Sequence, residues 1–390
     1  MLFLYTSAMP GAPALSETSG TMLNVLDACL VTGFNLQPLA GIEVTAGVAT
    51  ATVTAGHGLL RPVRCKISGH GSLNGLYPVT GTPSATQFTF SVAVPDGSYP
   101  GGSVSVAPAG WEKLYPATDK AVYRALDTLS TQTLWRIEQQ GIYTYVSGYE
   151  TMSDIDTGTG QFLKYPSDVR GVKFPHCKSG DLAPRMWWIF ATNKAVLIYV
   201  ASFLTDVAIP AALQGMYFGD FKSLYDADLF SAAVMMYDQT ATPPASGSAP
   251  FSSSREYFSI RRSISGAIGG VWGMSASIYG DQGASYAGAG SYISPETDNK
   301  LVLTPLVLVE TPVSGTVGKR LPRGTVEYVW YSGFAMPDDS YYPSGSVFAG
   351  DAGTAFEGRY LYPLQIGKPY SGGLSQDNRR VFFDVTELMV

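Results

Sequence analysis

The sequence predicts a mainly β, multi-domain protein: a small β-sandwich-like module plus a larger β-rich body with few helices. Three observations predict it. Apolar and polar residues alternate with period two in several short runs, the pattern of strands with one buried face. The chain holds 43 Gly and 25 Pro without any collagen-like period, so they act as turn punctuation. It also holds 24 Tyr and 18 Phe while only 14% of residues are charged, a balance that suits packed strands and opposes disorder.

At 390 residues the chain is long enough for two or three domains. Residues 1–40 carry the clearest helix signal. Leu23, Leu26 and Leu30 recur at helical spacing after the polar start Ser19-Gly20-Thr21, and Gly33 follows as a stop. This segment is expected to pack one amphipathic helix on the main body.

Residues 41–109 read as a small β-sandwich-like module. Ala49, Ala51 and Val53 share one face. Val63, Cys65 and Ile67 alternate with Arg64 and Lys66, Phe88 and Phe90 with Gln87 and Thr89, and Val104 and Val106 with Ser103 and Ser105. Two sheets face to face, or one curled sheet, would bury this set.

Residues 110–239 form the first part of the β-rich body. Two strands are expected either side of Gln139-Gln140-Gly141. The apolar stretch Met186 to Leu204 is broken by Thr192-Asn193-Lys194 and reads as a hairpin, not a membrane span. Leu229 to Met236 fits a helix or a buried strand equally well. Residues 240–300 are expected to be flexible Gly/Ser/Pro-rich loops, with Thr240 to Ser254 and Gly280 to Ser294 the most biased. Residues 301–390 close the body with strands near Leu301 to Glu310, Val326 to Phe334 and Val381 to Val385.

The net charge of −6 lacks the basic footprint of a nucleic-acid binder. The pairs Arg261/Arg262, Lys319/Arg320 and Arg379/Arg380 read as solvated or ion-paired. Three cysteines, Cys29, Cys65 and Cys177, give an odd count and no CxxC, so no disulfide framework is expected. The start MLFLYTSAMPGAPAL lacks the basic region and sustained apolar run of a secretion signal.

Catalytic patterns are weak. The elbow GxSxG, the phosphate loop GxxxxGK[ST] and HExxH are missing. Asp154-Ile155-Asp156-Thr157-Gly158 opens like a calcium loop, but its twelfth position is Tyr165 where a bidentate Glu belongs. It reads as a turn between strands. His176 and Cys177 are adjacent and would point to opposite sides of a strand, which separates nucleophile from base. His57 and His70 sit in Gly-His-Gly turns. The carboxylate pairs Asp226/Asp228, Asp338/Asp339 and Glu150/Asp154 carry little information in a chain of this length. No catalytic residue, metal ligand or cofactor is therefore expected.

Low charge with many Tyr is also the composition of surfaces that other subunits cover. On that ground Tyr286, Tyr292, Trp330, Tyr341 and Tyr342 are the candidate interface residues.

Several separated segments carry a resemblance. ACLVTGFNLQPL (Ala28 to Leu39) and the AGIEVTAGVATATVTAGHGL that follows it resemble virion proteins of tailed phages infecting proteobacteria. So do LNGLYPVTGTPSATQFTFSV (Leu73 to Val92), GWEKLYPATDKAVYRA (Gly110 to Ala125), MYFGDF (Met216 to Phe221) and RRVFFDV (Arg379 to Val385). The small module resembles the immunoglobulin-like inserts of phage surface proteins. The resemblance implies a non-enzymatic structural subunit of the tail, tail tip or baseplate, or head–tail region, assembled in the host cytoplasm. Its expected partners are other copies in a ring or spike and neighbouring virion proteins, without nucleic acid or membrane insertion. An alternative expectation is a tail receptor-recognition protein that binds host surface glycan.

Overall fold

The computed structural model describes residues 1–162, 170–177, 180, 182–201, 213–226, 228–237, 256–266, 272–276, 303–311, 321–332, 342–365 and 380–390. The fold is mainly β, built of several antiparallel sheets.

The largest sheet has thirteen strands. It runs from Leu2–Thr6 through Trp187–Thr192, Ala195–Val200, Gln214–Asp220, Ala232–Tyr237, Glu256–Ile260 and Trp272–Ala276. It continues through Leu303–Thr311, Leu321–Ser332, Arg380–Asp384 and Tyr360–Gln365 to Phe348–Ala349, and Lys222–Ser223 adds to Leu321–Ser332. The expected hairpin is present over Trp187–Thr192 and Ala195–Val200, with Ile189 opposite Ile198. Both of its faces are buried. Trp187, Ile189 and Ala191 enter one apolar cluster, while Trp188 and Phe190 enter another. Burial on two faces is why the sequence there is almost continuously apolar.

The second cluster also contains Val326, Val329, Leu364, Val381 and Phe383 from the far strands, and Phe190 stacks on Phe383. The large sheet therefore folds over so that its early and late strands face each other. The first cluster joins the opposite face to a five-stranded sheet: Trp111–Pro116, Lys120–Ala125, Leu134–Gln140, Tyr143–Tyr149 and Val172–Pro175.

The eight-stranded sheet of the small module lies within residues 34–106. Its organiser is the long strand Phe34–Thr45. The first half pairs with Ser103–Val106; the second half pairs with Val48–Val53 and Gly97–Pro100. Register shifts between Phe34 and Gln37 and between Leu39 and Gly41 mark where the strand passes from one half-sheet to the other. The two halves turn Phe88, Phe90 and Ala51, and Cys65, Ile67 and Val104, into the same cluster.

The structure corrects four expectations. The module begins at Phe34, so the division at residue 40 falls inside a strand; Pro38 and the broken register disguise it. The segment before it holds more than a helix, because Leu2–Thr6 is a strand of the large sheet. Residues 240–300 include two strands, Glu256–Ile260 and Trp272–Ala276, hidden by their biased flanks, whereas Thr240 to Ser254 and Gly280 to Ser294 lie outside the described residues. Arg64 is buried rather than facing solvent: it donates to the carbonyls of Leu2 and Glu387 and straps the small module to the strand Leu2–Thr6 and the short helix Thr386–Met389.

The expected helix spans Thr21–Leu26 and widens into a π turn over Asp27–Thr32. Leu23, Leu26 and Leu30 are all buried. Gly33 ends it at φ 77°, and a Cβ there would meet the Val106 carbonyl oxygen at 2.4 Å, so only Gly fits. The ambiguous segment 229–236 resolves as the strand Ala232–Tyr237, with Leu229 and Phe230 in the preceding turn.

Candidate interaction surface

The predicted interface aromatics separate into two groups. Tyr286, Tyr292 and Tyr341 lie outside the described residues. Trp330 and Tyr342 are brought together around Phe382. Trp330 is the cross-strand partner of Phe382 and meets the Phe356 ring edge-on at 5.0 Å; Tyr342 meets the rings of Phe348 and Phe382 at 4.6 and 5.7 Å. Both are half-buried members of a small apolar cluster.

The titratable candidates are engaged in the fold. His176 is fully buried. Its Nε2–H donates to the Ser16 carbonyl at 3.2 Å and its Nδ1 accepts the Thr144 hydroxyl at 2.9 Å. Burial holds this imidazole down at about 4, against the smaller opposing pull of the Ser16 carbonyl. His57 likewise uses both nitrogens, on the Leu59 N–H and the Ser84 carbonyl. The Asp154 turn joins Thr151–Met152 to Gly158–Thr159, and the Asp154 carboxylate accepts the N–H groups of Asp156 and Thr157. Cys29, Cys65 and Cys177 are buried, and none is disulfide-bonded. Among the described residues, no three His, Cys, Asp or Glu side chains group as a metal site, and no helix is long and apolar enough to cross a membrane.

The surface that stands out is one end of the large sheet, where two loops meet. The loop 126–133 leaves the five-stranded sheet and the loop 221–231 joins two strands of the large one. Asp220 ties them: its carboxylate accepts the Thr131 N–H at 2.7 Å and the Thr131 hydroxyl at 2.6 Å. Arg261 donates to the Thr131 carbonyl at 2.8 Å, and its own N–H bonds Ala232. Burial raises the Asp220 carboxyl to about 6, against the pull of Thr131, Lys194 and Arg261.

The 221–231 loop is held from beneath. Arg323 and Asp228 have fully buried side chains and share a two-pronged contact, Nη2 to Oδ1 and Oδ2 at 2.8 Å each. Arg323 also reaches Glu310, and Ser223 donates to Asp228 at 3.0 Å. Several charges nearby are turned toward each other. Lys194 lies 3.6 Å from Asp127, and Glu150 takes both Arg261 and Arg262, as the ion-paired reading of that arginine pair expects.

What this rigid end offers outward is leucine. Leu126 is 57% exposed, Leu129 82%, Leu224 58% and Leu229 74%. Apolar side chains on braced loops, beside Asp127, Glu150 and Asp228 paired within the chain, make a surface suited to another protein. The signal was available in the sequence: Leu129 stands alone in the polar run Asp127-Thr128-Leu129-Ser130-Thr131, where nothing local buries it. Selecting by aromatic content passed over it.

Beside this end, between the two layers of the folded sheet, a cleft lined by Leu2, Tyr217, Asp220, Glu327 and Tyr328 encloses about 20 Å³. That is room for a group the size of one water. No protein-family model matches the chain, and no curated protein matches it.

Proposed function

We propose that this chain is a structural subunit of a tailed-phage particle, in the tail, tail tip or head–tail region, and works by protein–protein contact. The observation that carries the contact reading is the exposed leucine face on loops braced by Asp220–Thr131 and Arg323–Asp228. Exposed apolar surface costs solubility unless a partner covers it. Rigid loops lose little freedom on association, so the burial gained is not spent on ordering them. The assignment to a phage particle rests on the resemblance of the segments at 28–59, 73–92, 110–125, 216–221 and 379–385.

In this reading the folded large sheet forms the body, and the small module rides on it through Arg64. The test is mass spectrometry of purified particles with copy number. Stoichiometric presence, as a small integer multiple of a ring, is expected. Absence from particles, or trace amounts accompanied by enzymatic turnover, would sink the reading.

A further inference from the structure

We propose that the leucine end of the large sheet is a self-complementary face by which two copies of this chain associate. The proposal rests on the contact reading above and names the partner of that surface.

The argument starts from charge. At this end Asp127, Glu150 and Asp228 are each held by a cation of the same chain. Asp220 is held by Thr131. Two charged residues of the 221–231 loop differ. Lys222 and Asp226 are exposed, and among the described residues neither has an ion-pair partner. They are of opposite sign, and Leu224 lies between them in the chain.

A loop whose described residues present one unpaired cation and one unpaired anion either side of Leu224 suits its own copy turned by a twofold axis. In such a contact residue i of one copy meets residue j of the other, and j meets i. Lys222 would meet Asp226 twice, and the leucines would meet across the axis. A partner with a strongly basic or acidic surface would satisfy only one of the two charges and leave the other opposed or unpaired. Asp127, Glu150 and Asp228, each held by a cation of its own chain, add little like-charge repulsion between copies. The loops need no rearrangement, because Asp228–Arg323 and Asp220–Thr131 already fix them.

The test uses the full chain. Sedimentation of the wild type is expected to show a concentration-dependent monomer–dimer equilibrium. Leu129→Asp with Leu229→Asp should leave a monomer with an unchanged melting curve. Lys222→Asp and Asp226→Lys should each weaken dimerisation roughly ten-fold, since each places like charges together twice. The double variant Lys222→Asp/Asp226→Lys should return to within about three-fold of the wild type, because the pairs are re-formed in reverse. A wild type that stays monomeric overturns the proposal. So does a double variant that sums the two losses, or a dimer indifferent to the leucines.

Particle mass spectrometry separates the two readings. A dimer that never enters particles leaves this face standing and removes the phage assignment. A monomer that enters particles, and is excluded by the leucine changes, shows the face docking a different virion protein and removes the self-association.

Discussion

Gln139 Oε1 accepts the backbone N–H of Met22 at 3.0 Å, across 117 residues of sequence. The helix Thr21–Leu26 begins at Gly20, which has no side chain to cap it. Its second N–H is satisfied by a glutamine from the five-stranded sheet instead. The same side chain donates Nε2–H to the Thr18 carbonyl at 2.8 Å.

Gln139→Ala should therefore cost more than an exposed cap. Gln139 is 2% exposed, and its removal leaves the buried Met22 N–H unpaired. A loss of about 1–3 kcal/mol is expected, read as a lower denaturant midpoint. Gln139→Glu keeps the acceptor for Met22 but loses the donor to Thr18, so it should also destabilise. A neutral result for both would show that the helix does not depend on this contact.

Two buried groups should give opposite pH dependences. His176 is neutral in the folded chain, held down at about 4, while an unfolded histidine titrates near about 6.5. Its contribution is complete above the unfolded value and is lost as pH falls toward the folded one. Asp220 is held up at about 6 from an ordinary 3.8. Between those values the folded chain keeps a proton that the unfolded chain has released, so its contribution to stability falls as pH rises through that window. The two terms offset each other in the wild type between about pH 4 and 6. Asp220→Asn should steepen the loss of stability on acidification, and His176→Asn should reverse it. Denaturant titrations at pH 4.5, 6 and 7.5 check this; parallel profiles for all three proteins would rule it out.

Removing one partner of the Arg323–Asp228 pair should be far worse than removing both. Arg323→Met leaves a carboxylate buried with Ser223 and the Phe230 N–H as its remaining donors. About 3–5 kcal/mol is the expected cost. Arg323→Met with Asp228→Leu should recover part of it, because the buried Asp228 charge leaves with its partner while Glu310 still lacks its cation. A double-variant cycle by chemical denaturation measures the coupling, and additive losses would contradict it.

The sequence was most legible where one side chain type decided one local outcome. Thr192-Asn193-Lys194 broke an apolar run, and the hairpin followed. Ala49, Ala51 and Val53 alternated with threonines and lie buried together. It was least legible where a distant partner decides. Leu2–Thr6 is a strand only because Trp187–Thr192 lies beside it. Arg64 is buried only because Leu2 and Glu387 offer it carbonyls. The leucine end is illegible for a related reason: the loops that carry Leu129 and Leu229 are brought to one end through the bonds of Asp220 and Arg261 to Thr131, which no window of sequence joins.

The pairing of Leu2–Thr6 with Trp187–Thr192 bears on how the chain is made. Ser7 and Trp187 bond across 180 residues. A ribosome adding about 5–20 residues per second would deliver the partner roughly 10–40 s after the first strand has emerged. For that interval Leu2, Phe3, Leu4 and Tyr5, all buried in the finished protein, have no sheet to join. The large sheet is thus completed late, by a long-range closure that local contacts do little to hasten. A nascent-chain pull-down should find chaperones on this strand until Thr192 has cleared the exit tunnel, and then lose them.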